Sequence, residues 1–521
     1  MNLHPIDITI IVVYCVALLG IAYWVSREKD GKEKDAKSYF LADRSLPWWA
    51  IGASLIAANI SAEQIIGMSG SGYAIGLAIS AYEWMAALTL IIVGKYFIPI
   101  FLKKEIYTMP EFLEKRYDHR VRMILGIFWL VVYVFVNLTS VMYLGGLAIN
   151  TITGLDMQTG ITALAVFALL YSIYGGLKAV AMTDIIQVVM LIFGGVIITY
   201  LALNNISGGA GSMQGFTMLL DQAADKFDLI LDKEHSFYSD LPGISVLIGG
   251  MWIMNLSYWG FNQYITQRAL AAKSLDEAQK GIVFAGYLKM LMPLIIVIPG
   301  IAAYVMDPTL SPADKAYPTL MTLVPVGLKG LVFAALIAAI VSSLSSMANS
   351  ISTIFTMDLY KRFWVKDASE SKLVKVGRIV VAVSFLIAVL VAKPLLGNLD
   401  QAFQFIQEFT GFFTPGIVAI FMLAVFYKQT TAAGALAAAL GSLALSIGMK
   451  LGMPAFPFMD RMGVVFIFSI VVAVAVSYMQ GNKVHEKAID LNDVSFKTSK
   501  NFNLATLGIV LMLIGLYAAW W

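Results

Sequence analysis

The sequence predicts an all-α protein that crosses a lipid bilayer many times, and three observations carry this prediction. Hydrophobic side chains make up 59% of the 521 residues and charged ones only 13%. The mean hydropathy of +0.79 is far above that of an ordinary soluble domain. The apolar residues also form long runs, separated by short polar segments. A run of about 20 residues matches the ~30 Å of hydrocarbon that a helix must cross.

Fourteen such runs can be delimited in the 521 residues, which we interpret as one transmembrane domain over residues 1–521. The N-terminal segment has no positive stretch before its apolar run and no small-residue cleavage site, which indicates a retained spanning helix and not a signal peptide. The fourteen runs lie near residues 8–25, 47–76, 78–102, 121–153, 158–174, 179–204, 243–267, 281–306, 328–360, 375–395, 400–427, 430–452, 460–480 and 503–520.

The distribution of Lys and Arg predicts how these helices are oriented. If the N-terminus lies outside, inside loops hold 27 of the 36 Lys and Arg residues and outside segments hold 7, while Lys95 and Lys289 lie within spans. Inside loops are enriched in Lys and Arg, so both termini are expected outside. The net charge of +3 and the lack of a basic face argue against a nucleic-acid partner. One cysteine, Cys15, excludes an internal disulfide.

The second run carries polar residues at its centre. Irregular backbone at membrane depth is tolerated only where it is buried in protein or lines a cavity, so we predict a helix broken near residues 59–62. Such a break releases carbonyls, which suit a hard cation, and N–H groups, which suit a polar solute. The alternative is an intact glycine-lined helix whose polar side chains bond to neighbouring helices. The polar residues, in LIAANISAEQIIG, are Asn59, Ser61, Glu63 and Gln64.

The seventh run repeats this pattern over residues 246–268. Five spans separate the starts of the two broken helices, so five-helix units over residues 46–204 and 243–427 would have opposite orientations. Inverted repeats with a discontinuous first helix and a site at the midplane are typical of secondary transporters. The first span, 8–25, and the last three, within 430–520, are then peripheral. The polar residues between the two apolar halves of the second broken helix are Asn255, Ser257, Asn262 and Gln263.

Ionisable and amide side chains at membrane depth are candidates for a solute site. Glu83 and Lys289 are predicted inside spans, where charge is costly and a functional role is the default. A Glu–Lys pair that only sets helix register is the alternative. Asn137 lies mid-span and Gln407 precedes a Gly-Pro interruption, for which interhelical bonding and an ordinary kink are the alternatives. Such groups beside aromatic rings suit a sugar, and an amino acid is also compatible.

A stripe of small polar residues in 333–358 favours a cation site. Neutral hydroxyls with carbonyls suit Na⁺ better than a proton, because nothing in the set titrates near pH 7. Close packing is the alternative for any single serine. Asp184, predicted near the cytoplasmic end of its helix, is a candidate for cation release or for a capping role. At helical spacing the stripe comprises Ala339, Ser342 or Ser343, Ser346, Asn349 or Ser350, and Thr353.

Other functional classes find little support. The sequence contains no His-Glu-x-x-His, no Gly-x-Ser-x-Gly and no P-loop, which argues against an enzyme. A receptor or sensor would be expected to carry a soluble output domain, and none is apparent. Two broken helices with polar groups at the midplane favour a carrier over a channel.

Five stretches closely resemble one family over nearly the whole chain, the solute:sodium symporter family. The resemblance implies fourteen helices with an inverted five-helix repeat of the LeuT type and two discontinuous helices. It also implies uptake of a monosaccharide, coupled to Na⁺ and without another cofactor, across a bacterial inner membrane with both termini in the periplasm. The stretches are ASLIAANISAEQIIGMSGSGY, YSIYGGLKA, WGFNQYITQRALAAKS, FAALIAAIVSSLSSM and QAFQFIQEFTG.

Carried over position by position, the resemblance implies four groups of site residues. The backbone carbonyls and hydroxyls that would bind sodium belong to Ala57, Ile60, Ala339, Ser342 and Ser343. The residues that would bind the sugar are Gln64, Glu83, Asn137, Asn255, Tyr258, Lys289 and Gln407. The gate residues are Tyr258, which would stack on the sugar, Trp259 and Phe403. Asp184 would lie on the sodium exit path.

Two positions depart from the pattern of a sugar-transporting member of the family. Ala86 stands where that member has a sugar-contacting serine, and Ser257 where it has a tyrosine beside the gate. Galactose or glucose is the expected solute. A Na⁺ symporter of the same fold for a sialic acid, an amino acid or myo-inositol is the alternative.

Overall fold

The computed structural model describes residues 3–26, 45–106, 108–174 and 177–521, without the side chains of residues 22–23, 25–26, 173–184, 264 and 370. Within these ranges the chain is helical, and it forms no strand beyond an isolated parallel bridge between Leu46 and Ala272. The predicted all-α class is therefore confirmed.

The α-helices occupy most of the predicted apolar runs, and a few short ones lie in the connecting segments. In the first half they are α1 (Pro5–Ser26), α2 (Trp48–Asn59), α3 (Glu63–Ala74), α4 (Leu77–Lys103), α5 (Met109–Arg116), α6 (His119–Thr153), α7 (Met157–Tyr174), α8 (Leu177–Ile206) and α9 (Ser212–Gln222). In the second half they are α10 (Ser245–Ile248), α11 (Gly250–Asn255), α12 (Gln263–Leu270), α13 (Leu275–Met306), α14 (Ala316–Leu320), α15 (Leu328–Trp364), α16 (Glu370–Leu396), α17 (Ala402–Thr410), α18 (Thr414–Phe426), α19 (Ala432–Gly452), α20 (Phe458–Met479) and α21 (Lys500–Ala519).

The predicted total of fourteen spanning helices is not confirmed. Among the described residues, nine helices are long and apolar enough to cross a membrane, and eleven if each of two bent pairs counts as one span. Two shorter apolar stretches, Pro5–Ile21 and Met157–Ser172, coincide with predicted spans. The run 243–267 consists of short pieces, so it cannot be counted as one helix by its length.

The break predicted in the second run is present. Helix α2 ends at Asn59, α3 begins at Glu63, and their axes differ by 65°. Ile60 has an extended backbone, with ψ at 95°. In the second broken run, α11 continues into a π-helical stretch, Leu256–Gly260, and Asn262 is extended before α12 begins. A further bend of 45° separates α17 from α18 at the predicted Gly-Pro interruption.

Local sequence signals set where several helices start and stop. The Ser274 hydroxyl accepts the N–H of Glu277 at 3.2 Å, and the Thr108 hydroxyl accepts that of Glu111 at 3.1 Å. Both have the sequence of a capping box, in which Ser or Thr is followed three residues later by Glu, and both make its hydroxyl-to-backbone bond. Gly154, with φ at 78°, ends α6 in the left-handed conformation that glycine adopts most easily.

Two helices form the centre of the molecule. Helix α13 packs against α2, α3, α4 and α8, and α15 packs against α1, α2, α7 and α8. In an apolar 18-residue stretch of α15, 89% of the residues are buried, against 17% in the corresponding stretch of α21. A residue with more than a hydrogen could not replace Gly300 of α13, because its Cβ would lie 2.2 Å from the Ser69 carbonyl oxygen of α3. This close contact fixes α3, the second half of the first broken helix, against the centre.

Candidate functional site

A polar cavity lies where the two broken helices meet. Asn59, Glu63 and Gln64 come from the first break, and Asn255, Ser257, Tyr258 and Asn262 come from the second. Side chains of α4, α6, α13, α17 and α18 complete the wall. The residues from these five helices include Tyr82, Glu83, Ala86, Asn137, Lys289, Phe403, Ile406, Gln407, Thr410 and Thr414.

The cavity brings together every residue that the family resemblance implies for the sugar. These residues, from six different helical segments, are Gln64, Glu83, Asn137, Asn255, Tyr258, Lys289 and Gln407. The other two gate residues, Trp259 and Phe403, and the two departures from the family pattern, Ala86 and Ser257, line the same cavity. Their roles in binding stay predictions, while their common location is an observation.

Three parts of the cavity wall are π-helical. They are Glu63–Met68, Val132–Leu138 and Leu256–Gly260. A π-helical turn shifts side chains relative to a regular α-helix and is often found at functional sites. Here these turns present Glu63, Asn137 and Tyr258 to one cavity.

Lys289 and Glu83 form a buried ion pair in the cavity wall. Lys289 Nζ lies 2.5 Å from Glu83 Oε2 and also donates to Asn59 Oδ1, and both charged side chains are at most 3% exposed. The ammonium lies 5.2 Å from the centroid of the Trp259 ring, within range of a cation–π contact. An ammonium has three N–H donors, and these two bonds use two of them. The pair thus fixes the register of α4 and α13 and also presents charge to the cavity.

Glu63 is a cavity residue that the sequence analysis did not assign to the site. Its side chain is buried and accepts a hydrogen bond from Asn137. Its Oε1 atom has no hydrogen-bond partner within the described part of the chain. A buried carboxylate oxygen without a donor is a strong acceptor for a hydroxyl, because leaving it unpaired is costly. Its place beside Gln64 at the centre of an apolar run was the available signal.

Aromatic rings flank the polar groups. Tyr258 and Trp259 pack edge to face with centroids 5.1 Å apart, and Tyr82 and Phe403 do the same at 5.1 Å. Such pairs are rigid, and their ring faces suit the C–H surface of a flat polar solute. The geometry is compatible with the predicted gate, which needs bulky side chains beside the solute.

The five residues predicted for sodium are all buried, and they lie in or directly after α2 and in α15, two helices that pack against each other. The Ile60 N–H donates to the Ile56 carbonyl at 2.7 Å, and the next backbone bond runs from Ile65 N–H to the Ser61 carbonyl at 3.1 Å. The carbonyls of the intervening residues are thereby released from the helical ladder. The five residues, each at most 2% exposed, are Ala57, Ile60, Ala339, Ser342 and Ser343.

The hydroxyl of Ser343 is available for a ligand role. Its Oγ is buried and has no hydrogen-bond partner among the described residues. Among the same residues, no cluster of three or more His, Cys, Asp or Glu side chains could hold a metal ion. The five residues predicted for sodium would supply only neutral carbonyl and hydroxyl oxygens, which are ligands that hard cations prefer. Asp184 lies in α8, and its side chain is outside the described part of the chain.

Comparison with protein families gives a match over most of the chain. Residues 39–441 match the model of the sodium:solute symporter family. The sodium/glucose cotransporter of Vibrio parahaemolyticus is 52% identical over 538 aligned residues, covering 100% of this chain and 99% of the relative. The sodium/glucose cotransporter 1 of Ovis aries is 34% identical, covering 82% and 69%. The sodium/myo-inositol cotransporter 2 of Mus musculus is 34% identical, covering 87% and 70%.

Two solved structures share the fold. A Na⁺-coupled sialic acid symporter in a substrate-bound, outward-open state superposes with a TM-score of 0.79 at 24% identity, covering 91% of this chain and 98% of that one. Mhp1, a nucleobase-cation-symport-1 family transporter in a closed conformation, superposes with a TM-score of 0.57 at 13% identity, covering 86% and 96%. At these identities the likeness concerns the fold alone.

Proposed function

Because the chain belongs to the sodium:solute symporter family, we propose that it takes up a monosaccharide together with Na⁺ across the bacterial cytoplasmic membrane. The observation that carries the proposal is the polar cavity, where all seven residues expected for a sugar lie together. The relatives aligned over most of this chain are cotransporters named for glucose or myo-inositol. The chain is accordingly a transporter and not an enzyme.

The sugar binds through hydroxyl groups and one ring face. Gln64, Asn255 and Gln407 supply amide donors and acceptors, which suit hydroxyls that both donate and accept. Glu83 accepts from a hydroxyl, and Lys289 donates its remaining N–H. Tyr258 stacks on the ring with Trp259 behind it, and Phe403 faces the solute from α17.

Sodium binds at the adjoining break. The carbonyls of Ala57, Ile60 and Ala339 and the hydroxyls of Ser342 and Ser343 form its ligand set. Asp184 lies on the route by which the ion leaves. This proposal is supported by the burial of the five ligands and by the hydroxyl of Ser343, which has no hydrogen-bond partner within the described ranges.

Coupling follows from the short chain segment that both ligands share. Ile60 supplies a sodium ligand, while Asn59, Glu63 and Gln64 line the sugar cavity within four residues of it. An ion that orders the break therefore also orders the side chains that meet the sugar. By linkage, each ligand must then raise the affinity of the other by the same factor.

The membrane potential supplies part of the driving force. Moving one positive charge down ~100 mV releases about 2.3 kcal/mol, which supports roughly fifty-fold accumulation per ion. A Na⁺ concentration gradient adds to this.

The finer architecture forms part of the proposal. Fourteen spanning helices comprise two inverted units, residues 46–204 and 243–427, with 8–25 and 430–520 peripheral. Both termini lie in the periplasm. The support is the charge distribution, the 65° break at the start of the first unit, and the π-helical stretch and extended Asn262 at the start of the second.

A Na⁺ symporter of the same fold for a different solute is the second candidate, and two side chains favour considering it. Ala86 lines the cavity without a hydroxyl, and Ser257 without an aromatic ring. A larger or differently substituted solute, such as myo-inositol or a sialic acid, then becomes an alternative to galactose and glucose.

The test is uptake of labelled galactose and glucose into proteoliposomes of the purified protein. An inward Na⁺ gradient is compared with matched K⁺ and with a proton gradient, and unlabelled hexoses, myo-inositol, a sialic acid and amino acids compete. Accumulation with Na⁺ alone, competed best by a hexose, is expected. Equal accumulation under K⁺ or protons would refute Na⁺ coupling, and competition only by another solute would refute the sugar.

A further inference from the structure

Arg268 is a buried cation at the end of the second broken helix. It lies in the last turn of α12, and its side chain is 1% exposed. A guanidinium stays charged in proteins, so it is retained in such a place only where hydrogen bonds compensate its lost hydration.

The Arg268 guanidinium joins three helices. Its Nε donates to the Ser54 hydroxyl of α2 at 2.8 Å, and its Nη2 donates to the Ser346 hydroxyl of α15 at 3.3 Å. Both serines are buried. One side chain therefore links the two broken helices to the helix that carries the serine stripe.

Its partners lie one turn away from the sodium ligands. Ser54 precedes Ala57 by three residues on α2, and Ser346 follows Ser343 by three residues on α15. Residues three apart share a helix face and are displaced by about 4.5 Å along the axis. In both helices the displacement leads toward the end that the Lys and Arg distribution assigns to the cytoplasm.

We propose that Arg268 is a positioning residue that closes the cytoplasmic side of the sodium site. The inference rests on the proposed function. While the cytoplasmic side is closed, the bonds of Arg268 to Ser54 and Ser346 hold α2, α12 and α15 together. The fixed positive charge of Arg268 then opposes passage of Na⁺. Inward opening must separate these helices, which breaks the two bonds and moves the charge aside. Arg268 thereby keeps Na⁺ from leaving before the sugar is bound.

The test is the flux of labelled Na⁺ through proteoliposomes in the absence of sugar, measured for the wild type and for Arg268→Gln. The variant should raise the sugar-free flux about tenfold, the change that a barrier lower by about 1.4 kcal/mol produces. The steady-state accumulation of sugar should fall in proportion. Arg268→Lys keeps the charge and one bond, so it should restore most of the coupling.

Arg116 offers a matched control. It is also 1% exposed, and its guanidinium donates to the carbonyls of Ala424, Tyr427 and Thr430 at 3.0–3.1 Å. Arg116→Gln should lower thermal stability without opening a sodium leak. An equal leak in this control would assign the effect to general loss of stability and would overturn the inference.

Ser54→Ala serves if Arg268→Gln does not fold, because it removes one acceptor and leaves the charge. It should show a smaller leak of the same sign, and an unchanged flux in a folded Ser54→Ala would reject the inference. A wild type without Na⁺-driven uptake would instead refute the proposed function, and the inference with it. Normal wild-type coupling with equally tight Arg268→Gln would refute the inference alone.

Discussion

The buried ion pair between Lys289 and Glu83 affects both the stability of the protein and the chemistry of the cavity. Removing one partner of a buried ion pair leaves an uncompensated charge and lowers the free energy of unfolding by about 3–5 kcal/mol. Lys289→Met alone should therefore destabilise the protein strongly. Lys289→Met with Glu83→Gln removes both charges of the pair, so it should recover most of the stability but none of the sugar binding.

This cycle separates the two readings of the pair. Thermal unfolding measures the stability of each variant, and equilibrium binding of labelled sugar at saturating Na⁺ measures the site. A double variant that binds sugar normally would show that the pair only fixes helix register.

Ala86 provides a test of solute choice at the residue scale. It is buried in the cavity wall, and a serine there adds one hydroxyl with little added volume. A hydrogen bond made to one hexose epimer and not to another is worth about 0.5–1.5 kcal/mol. Ala86→Ser should thus change the ratio of galactose to glucose affinity several-fold, measured by competition. An unaltered ratio would remove this position from the specificity of the site.

Sequence reasoning identified the site residues only partly from physical chemistry. Polar side chains such as Gln64, Glu83 and Lys289 are conspicuous because charge and amides are costly in hydrocarbon. Tyr258 and Phe403 are not, because aromatic residues are common throughout the apolar runs, and these two came from the family resemblance. Glu63 was seen but not assigned, since only the packing shows that one of its oxygens lacks a donor in the part of the chain that the structure describes.

Helix α17 is the element that closes one side of the cavity, and Asp314 holds its beginning. The Ala402 N–H donates to Asp314 Oδ2 at 2.8 Å, and Ala313 N–H donates to Asp400 Oδ1 at 2.9 Å, so the loop before α14 and the start of α17 interlock. A Cβ at Gly70 would lie 2.4 Å from Asp314 Oδ1, which places the same carboxyl directly against α3.

The contribution of Asp314 to the stability of the protein should depend on pH. Burial raises the pKa of Asp314 well above its usual value, while the Ala402 N–H lowers it and Asp400 raises it further. A raised folded-state pKa stabilises the fold below the unfolded pKa, and this stabilisation is lost as pH rises through the folded value. Asp314→Asn mimics the protonated carboxyl, so the wild type should lose stability relative to this variant as pH rises.

Thermal unfolding between pH 5 and pH 9 measures this difference, with Asp307→Asn as the control. Asp307 lies in the same loop, but its side chain is exposed and hydrogen bonds from Thr309 lower its pKa. Parallel pH profiles for the wild type and Asp314→Asn would contradict a protonated Asp314. Asp314→Ala should lower stability at every pH, because the Ala402 N–H then loses its acceptor.

At the element scale the sequence predicted breaks better than helix counts. The polar residues near 59–62, and Gly411 with Pro415 in the run 400–427, have a clear cost in a membrane-spanning helix, and the chain bends at both places. The number of spans was less accessible, because a run such as 243–267 is apolar enough to span yet is divided into short helices. The π-helical turns were not predicted, since they depend on packing with neighbouring helices and have no simple sequence signal.

At the scale of the whole molecule, the proposed sodium site at the break predicts that Na⁺ stabilises the folded protein. A ligand that binds only the folded state adds about 2.7 kcal/mol at one hundred times its dissociation constant. Adding Na⁺ should therefore raise the unfolding temperature, and sugar with Na⁺ should raise it further than sugar with K⁺. Differential scanning fluorimetry with Na⁺ and K⁺ at equal ionic strength measures both effects.

Reciprocity makes this prediction strict. If Na⁺ tightens sugar binding by some factor, sugar must tighten Na⁺ binding by the same factor, because both paths close one thermodynamic cycle. Ser342→Ala removes a proposed sodium ligand from the side of α15 and leaves the cavity wall intact, so it should shift the Na⁺ dependence to higher concentration while sugar affinity at saturating Na⁺ changes little. Equal stabilisation by K⁺, or a Na⁺ dependence unchanged in Ser342→Ala, would show that the cation does not bind at the break. The coupling between Na⁺ and sugar would then need a physical origin outside the segment 59–64.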